Sequence, residues 1–163
     1  AAPPVMNTVD TTILFKQKLI LVFFTLWLVL QAGVPWRHLF LPGNVAWNEA
    51  GHRFSWRMKL RSKNGTALFT VVTPDGQRLE VDPSEHLNAK QVRKMTCIPD
   101  LLWQFAQYLD VQHDGDVKVF VQTHCSLNGR PPTTLINPDV DLTAINRAEP
   151  VDGWVLPLTV PLP

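Results

Sequence analysis

The sequence predicts an α+β protein, in which one N-terminal transmembrane helix precedes a soluble domain of antiparallel strands: a three-stranded meander, two helices and a further hairpin. Three observations lead to this prediction. Residues 19–30 are apolar apart from one Thr and carry no charge. Later segments alternate apolar and polar residues, as half-buried strands do, and residues 101–111 repeat apolar residues at helical spacing. A chain of 163 residues is long enough to enclose one core.

The apolar run predicts a membrane span that begins near Thr11 and stops at Pro35, over residues 11–35. The run from Leu19 to Val34 makes about 24 Å of helix at 1.5 Å per residue. A hydrocarbon core is about 30 Å thick, so the span also needs the turns around Lys16 and Lys18, with both lysines reaching to the interface. A buried helix of a soluble protein and a secretory signal peptide are the alternatives.

Bulky side chains on this helix predict that it packs against other transmembrane helices as well as against lipid. The helix is hydrophobic on every face, so it offers no polar stripe to water. A span shorter than the bilayer is also relieved by neighbouring helices. We expect the packing residues to be Phe23, Phe24 and Trp27, with Trp36 in an interfacial aromatic belt. The distribution of Lys and Arg mildly favours a cytoplasmic N-terminus.

Alternating segments after residue 43 predict the three-stranded meander. The first strand is expected at residues 54–61, with a cationic outer face formed by Arg57, Lys59 and Arg61. Asn64-Gly65 is typical of a tight hairpin turn, since both residues tolerate positive φ. The return strand is expected at 67–73, followed by a turn at 74–76 and a third strand at 78–81. Trp47, Phe54, Trp56 and Met58 are expected to form one buried cluster.

The rest of the domain is predicted as two helices and a hairpin. A polar helix is expected at 88–95, and an amphipathic helix at 101–111 with Pro99 near its first turn. A strand at 117–125 alternates strictly, and Asn128-Gly129 turns the chain into a short strand near 134–136. We expect an N-terminal tail at 1–10, the extracytoplasmic domain at 36–158 and a Pro-rich tail at 159–163.

Composition excludes some classes of function. Fifteen Lys+Arg stand against fourteen Asp+Glu, giving a net charge of +1, so nothing indicates a nucleic-acid partner. Two cysteines are too few for a disulfide framework, and their spacing fits no zinc pattern. We therefore expect no metal site.

The residues predict no catalytic constellation. Glu49 and His52 lie three apart beside tryptophans and could act as an acid–base pair, or form a structural cap next to the membrane. Asp139 and Asp141 flank one residue and could pair, or cap a turn. Residues 113–116 are typical of a solvated turn.

From Trp36 onward the sequence resembles a known family. The order is WRHLFLPGNVAWNEAGHRFSWRMKLRSKNG, a TPDG turn, DLLWQFAQYL, VKVFVQTHCSLNGR and INPDVDL. This resembles the segment that follows the membrane helices of vitamin K-dependent gamma-carboxylase and its bacterial HTTM (horizontally transferred transmembrane) relatives. Trp47 and the Trp56 of FSWRM are the most specific residues, and LNGR, NPDVD and WVLPL support the resemblance downstream. It covers residues 19–158.

The resemblance implies that the membrane helices and the segment after them have different roles. In the family a bundle of membrane helices supplies the lysine base that deprotonates vitamin K hydroquinone, and no residue of this chain matches that lysine. The family motif implies a substrate-side region near the membrane, formed here by Trp47, His52, Phe54, Trp56, Met58 and Arg61. His52 and Arg61 depart from the animal enzymes and match the bacterial group.

These observations predict a membrane-anchored, non-catalytic accessory or scaffold subunit of a larger membrane assembly. It would be single-pass, with a periplasmic domain, no cofactor, and other transmembrane helices and the lipid bilayer as partners. The alternative is a substrate-binding fragment of a vitamin K-type glutamyl carboxylase, which would work with vitamin K hydroquinone. A third reading is a solitary periplasmic binding domain on an anchor.

Overall fold

The computed structural model describes residues 11–160 and confirms the α+β class. The helices are α1 (Thr11–Trp36), α2 (Val45–Asn48), α3 (Ala89–Met95) and α4 (Pro99–Gln112). The strands are β1 (Lys63–Val72), β2 (Arg78–Val81) and β3 (Lys118–Leu127). Short 3-10 helices cover Arg37–Phe40, Pro83–Glu85 and Val151–Gly153. The predicted tail at 1–10 and the end of the chain beyond residue 160 lie outside the described residues.

Helix α1 has the length and composition of a membrane span. It begins at Thr11, as predicted, and the apolar stretch Leu14–Phe40 is 27 residues long and almost entirely exposed on the protein surface. The helix carries Pro35 in its last turn and passes directly into the 3-10 helix. A proline there is tolerated because the helix ends one residue later.

The sheet is antiparallel with β1 in the centre, in the order β2-β1-β3. β2 follows β1 through the predicted turn at residues 74–76, where Gly76 has a φ of 84°. β3 pairs with β1 along its whole length, from Lys63↔Leu127 to Val72↔Lys118. The three strands are therefore not a meander of consecutive strands, because the third one arrives only after both helices.

The predicted strand at 54–61 does not form. Phe54, Trp56 and Lys59 have φ values of 63°, 53° and 54°, a left-handed conformation that an extended strand cannot contain. The alternation of apolar and polar residues is real, but the segment is a series of turns. Phe54, Trp56 and Met58 are 75%, 72% and 81% exposed, whereas Trp47 is buried. The predicted cluster of these four residues is wrong, and truncating Trp56 would leave the core intact.

Asn64-Gly65 does not turn the chain either, because both residues lie inside β1. Gly65 is required there by a close approach. A Cβ atom at this position would lie 2.1 Å from the carbonyl oxygen of His124 and 2.7 Å from Cys97 Sγ. The glycine thus marks a point where the backbones of two strands and a cysteine sulfur approach closely, a common reason for a glycine inside a strand.

The core lies between one face of the sheet and α4. Val117, just before β3, and the alternate strand residues Val119, Val121 and Thr123 are buried, as the sequence predicted. The apolar face of α4 covers them with Leu102, Phe105, Ala106 and Leu109. The C-terminal segment closes the other side, and Thr123 Oγ1 accepts hydrogen bonds from the backbone N–H groups of Leu135 and Ile136.

The remaining local predictions are confirmed, except that the predicted short strand near residues 134–136 is not a full strand. Asn88 caps α3 through a reciprocal capping box with Gln91. Asn128 and Gly129 both take positive φ in the turn after β3. The predicted return strand near 134–136 is reduced to two isolated bridges, Cys125↔Thr133 and Ile136↔Val155.

A disulfide joins Cys97, between α3 and α4, to Cys125 on β3. The two cysteines do not build a framework, but they do form this single cross-link. The two cysteines are 28 residues apart in the sequence, and the loop that the bond closes contains α4 and most of β3. The bond therefore fixes the helical layer to the sheet at the end where β1 begins.

We predict that the double substitution Cys97→Ala/Cys125→Ala lowers the free energy of unfolding by about 3–4 kcal/mol, because a loop of this length is no longer closed in the unfolded chain. Urea unfolding of the full chain in detergent, with and without reductant, measures the change. The wild-type protein should lose a similar amount on reduction, and the variant should not respond. Equal midpoints for oxidised wild type and variant would contradict the prediction.

Candidate functional site

The residues of the predicted substrate-side region lie between α1 and β1, in the segment 37–61, whereas the predicted packing residues Phe23, Phe24 and Trp27 lie on α1. The structure divides the substrate-side residues into two groups. Trp47, His52 and Arg61 pack towards the domain, whereas Phe54, Trp56 and Met58 point outwards. The inner group belongs to a charged cluster and the outer group to an exposed apolar surface.

Helix α2 anchors the segment to the domain. The side chain of Asn44 accepts a hydrogen bond from Ala46 N at 2.9 Å and so caps the helix. Trp47 Nε1 donates to the carbonyl oxygen of Leu156 at 2.8 Å. Since this indole is buried, its N–H needs such a partner, and the bond ties the segment after α1 to the C-terminal one.

Glu49 is the centre of the charged cluster. Its Oε1 lies 2.8 Å from Lys63 Nζ and its Oε2 lies 2.6 Å from Arg61 Nη1. The residue itself takes a φ of 65° and ends α2. One carboxylate therefore holds two cations that come from the start of β1 and the residues just before it.

Lys63 is the most enclosed member, with 7% of its side chain exposed. Its ammonium also donates to the carbonyl oxygens of Trp47, at 2.5 Å, and Cys97, at 3.0 Å. With Glu49 that makes three acceptors for three N–H donors. Burial lowers the pKa of Lys63, and the Glu49 carboxylate opposes that shift. Because every donor is engaged inside the fold, this lysine acts as a structural clamp.

His52 does not form the acid–base pair that its spacing from Glu49 suggested. Within the described residues no ion pair joins the two side chains, since the carboxylate is directed to Lys63 and Arg61. The Nδ1 atom of His52 is buried without a hydrogen-bond partner in the same part of the chain. Burial lowers the pKa of His52, and the positive charge of Arg61 lowers it further. The geometry supports the structural alternative.

The other candidates are also structural. Asp141 accepts hydrogen bonds from Val119 N at 3.0 Å and Thr143 Oγ1 at 2.7 Å, so it fastens a turn to β3 rather than pairing with Asp139. Cys125 is in the disulfide. Among residues 11–160 no group of three or more metal-ligating side chains comes together.

The outer group belongs to a surface that we call the apolar collar: Leu39, Phe40, Leu41, Phe54, Trp56, Met58 and Leu60, all exposed. Two loops contribute to it and are held together at the end of α1. Arg37 Nη2 donates to the carbonyl oxygen of Arg53 at 2.7 Å, and its guanidinium lies 6.0 Å from the ring centroid of Phe54. Gly51 lets the loops approach, since a Cβ there would meet His38 at 2.9 Å.

Sequence reasoning missed the two features that organise this region, Lys63 and the disulfide. Lys63 stands beside Asn64-Gly65, and the turn signal concealed the strand to which all three belong. The two cysteines were visible, but a pair carries no spacing pattern. The signal that could have indicated the disulfide is Gly65, a glycine within a strand that lies opposite Cys125 on the neighbouring strand.

The comparisons with known proteins give one family. Residues 16–160 match the family model described as vitamin K-dependent gamma-carboxylase, lumenal domain. No curated protein and no solved structure gives a significant match to the chain. The match covers nearly all of the described residues, including the charged cluster and the apolar collar.

We predict that Lys63→Met destabilises the protein by about 3 kcal/mol, because it leaves two buried carbonyl groups unpaired and Glu49 with one cation fewer. Lys118→Met, on the solvent-facing side of β3, is the matched control and should change the free energy of unfolding by less than about 0.5 kcal/mol. Urea unfolding of both variants measures the difference. Similar midpoints would show that the clamp does not stabilise the domain.

We predict that acidification destabilises the protein partly through His52. Its pKa is lowered in the folded state. Near and just below the ordinary histidine pKa of about 6.5, the unfolded chain therefore binds more protons, and the free energy of unfolding falls as pH falls through that window. Thermal midpoints at about pH 7.5 and about pH 5.5 test this. The loss should shrink in His52→Gln but persist in His124→Gln, a solvent-facing control. An equal loss in both variants would contradict the assignment.

Proposed function

We infer the function from one premise: this chain belongs to the vitamin K-dependent gamma-carboxylase lumenal domain family. The family and the apolar helix together indicate a membrane-anchored protein with an extracytoplasmic domain. We propose that the chain is a non-catalytic docking subunit of a larger membrane assembly, similar to the C-terminal half of bacterial HTTM proteins. In this proposal α1 crosses the membrane once and packs against the helices of a partner that carries the chemistry.

The observation that carries this proposal is the exposed surface of α1. Phe23, Phe24 and Trp27 are all about half exposed or more, and the soluble domain covers none of them. Lipid would satisfy their hydrophobicity, but association between transmembrane helices depends on side-chain packing. Three large rings within one and a half turns of α1 supply such a packing surface.

The disulfide supports the proposed location. Disulfides form and persist outside the reducing cytoplasm. Cys97–Cys125 is buried at the junction of α4 and the sheet, where a reduced pair would leave the layers without their cross-link. A periplasmic domain behind a single transmembrane helix fits this chemistry.

The closed charged cluster supports the non-catalytic part of the proposal. A general base needs a free lone pair directed at its substrate. The ammonium of Lys63 is buried and donates to three acceptors of its own chain, and Glu49 is neutralised by two cations. The charges of Lys63 and Glu49 are therefore engaged within the fold and are not directed at a substrate.

A second candidate function rests on a cationic cavity beside this cluster. It has a volume of about 190 Å³ and is lined by Arg61, Lys63, Arg93, Lys94, Cys97 and Ile98. Arg93 and Lys94 are exposed and make no ion pair within the described part of the chain. Such a cavity suits a carboxylate, which favours the alternative of a substrate-binding part of a glutamyl carboxylase that works with vitamin K hydroquinone.

We predict that the full chain co-purifies in mild detergent with a transmembrane gamma-carboxylase relative from the same source, and that Phe23→Ala/Phe24→Ala/Trp27→Ala abolishes the association by removing the packing surface. Leu21→Ala/Leu28→Ala/Leu30→Ala is the matched control, because it removes apolar volume without removing a ring. Size-exclusion chromatography with light scattering measures the complex. Equal retention of the partner by both triple variants would overturn the assigned packing surface.

The same preparations separate the two candidate functions. Each is incubated with vitamin K hydroquinone and a glutamyl peptide, and carboxylated product is measured. Product from the complex and none from the chain alone supports the docking role. Product from the chain alone would overturn its non-catalytic part. Loss of product in Arg93→Gln/Lys94→Gln, with the complex intact, would favour the substrate-binding alternative.

A further inference from the structure

We propose that the apolar collar is an interfacial lipid-binding surface, which dips into the headgroup and upper acyl region of a bilayer containing anionic lipid. It would give the protein a second membrane contact, separate from the span of α1. This inference rests on the proposed membrane anchoring, but it concerns a different surface and a different partner from the helix packing.

The first support is the exposure of large apolar side chains at one place. Phe40 is 86% exposed, and the collar residues of the second loop are exposed to a similar degree. Single exposed apolar residues are ordinary on a protein surface. Seven of them lie on two short segments that contact each other through Arg37, Arg53 and Phe54, and a concentration of exposed apolar groups is typical of sites that interact with proteins or membranes.

The second support is that the outward orientation is built into the fold. Ser55, between Phe54 and Trp56, is buried, and its hydroxyl donates to the carbonyl oxygen of His52 at 2.6 Å. Arg53 is held on one side by Arg37 and on the other by Asp100 of α4, 2.9 Å away. The loop is thus fastened through its polar inner positions, and its aromatic side chains cannot turn inwards without breaking those bonds.

The third support is charge. Residues 36–61 contain five Lys or Arg and one acidic residue, Glu49, and Glu49 is already paired inside the domain. On the collar loop, cationic Arg57 and Lys59 alternate with the apolar side chains. Aromatic and aliphatic groups beside Lys and Arg are the composition of surfaces that lie in the membrane interface and attract anionic headgroups.

The fourth support is position. The collar begins directly where α1 ends, so it lies at the level where a spanning helix leaves the hydrocarbon. The apolar stretch Leu14–Phe40 includes the first two collar residues, Leu39 and Phe40. The collar therefore continues the apolar surface of the span into the segment where the chain leaves the hydrocarbon. Continuity with the span and the interleaved cations favour lipid over a protein partner as the occupant.

The test uses the full chain in nanodiscs of phosphatidylcholine with about 30% phosphatidylglycerol, prepared with normal or with acyl-brominated lipid. Bromine quenches tryptophan fluorescence on contact. The emission of Trp56 is obtained as the difference between wild type and Trp56→Phe. The distant control is a tryptophan placed by Phe120→Trp in the Trp56→Phe background, since residue 120 lies on β3 opposite Thr70, far along the sheet from Lys63.

We expect brominated lipid to remove about half or more of the Trp56 emission and to leave the residue-120 emission unchanged, as for a ring at the headgroup–acyl boundary. Neutral nanodiscs, or Arg57→Gln/Lys59→Gln, should reduce that quenching. Trp56 emission that is untouched by brominated lipid and quenched by aqueous iodide would overturn the proposal. So would shielding from iodide that appears only when a transmembrane partner is added, because a protein would then cover the collar.

The outcome of this experiment does not depend on whether the proposed docking function is correct. It requires no partner, so lipid quenching can be present while co-purification through α1 fails. The reverse result, a stable complex with a collar that lipid does not reach, would retain the docking function and remove only the lipid surface.

Discussion

The arrangement of the half of the domain that follows α1 depends on one buried ammonium group. Lys63 stands at the first position of the central strand, and it binds the carbonyl oxygen of Trp47, the carboxylate of Glu49 and the carbonyl oxygen of Cys97. The first two acceptors belong to α2 and its C-terminal end, and the third belongs to the junction of α3 and α4. A single cation therefore sets the distance between the membrane-side loops, the helices and the sheet. Removing a buried cation leaves its acceptors unpaired, which is why so much structure can depend on one residue.

How much could be predicted from the sequence differs between the two halves of the domain. Beyond residue 73 the turns at 74–76 and 128–129, both helices and β3 are where local patterns placed them. There, strand period, helix period and capping residues all indicate the same structure. The α+β class and the apolar helix follow from equally local signals.

The first half was misread because two local signals were overridden by tertiary contacts. FSWRMKLR alternates like a strand, yet three of its residues take positive φ and its apolar side chains face outwards. Asn64-Gly65 has the composition of a turn, yet Gly65 is there because Cys97 and His124 leave no room for a side chain. Periodicity reports which residues share a face, but it cannot report whether that face meets a core or a membrane. The candidate site lies in this half, so its pairings, above all that of Glu49 with Lys63, could not be read in advance.

The disulfide has a consequence for biogenesis. Cys97 carries both the sulfur that bonds to Cys125 and the carbonyl oxygen that accepts from Lys63, so oxidation and the seating of the lysine fix the same residue. On the proposed topology the thiols meet an oxidising environment only after translocation. A newly made chain that stays on the reducing side would lack the cross-link and carry a weakened clamp, leaving it open to proteolysis. Export would then be coupled to maturation, and the domain would reach full stability only in the compartment where it works.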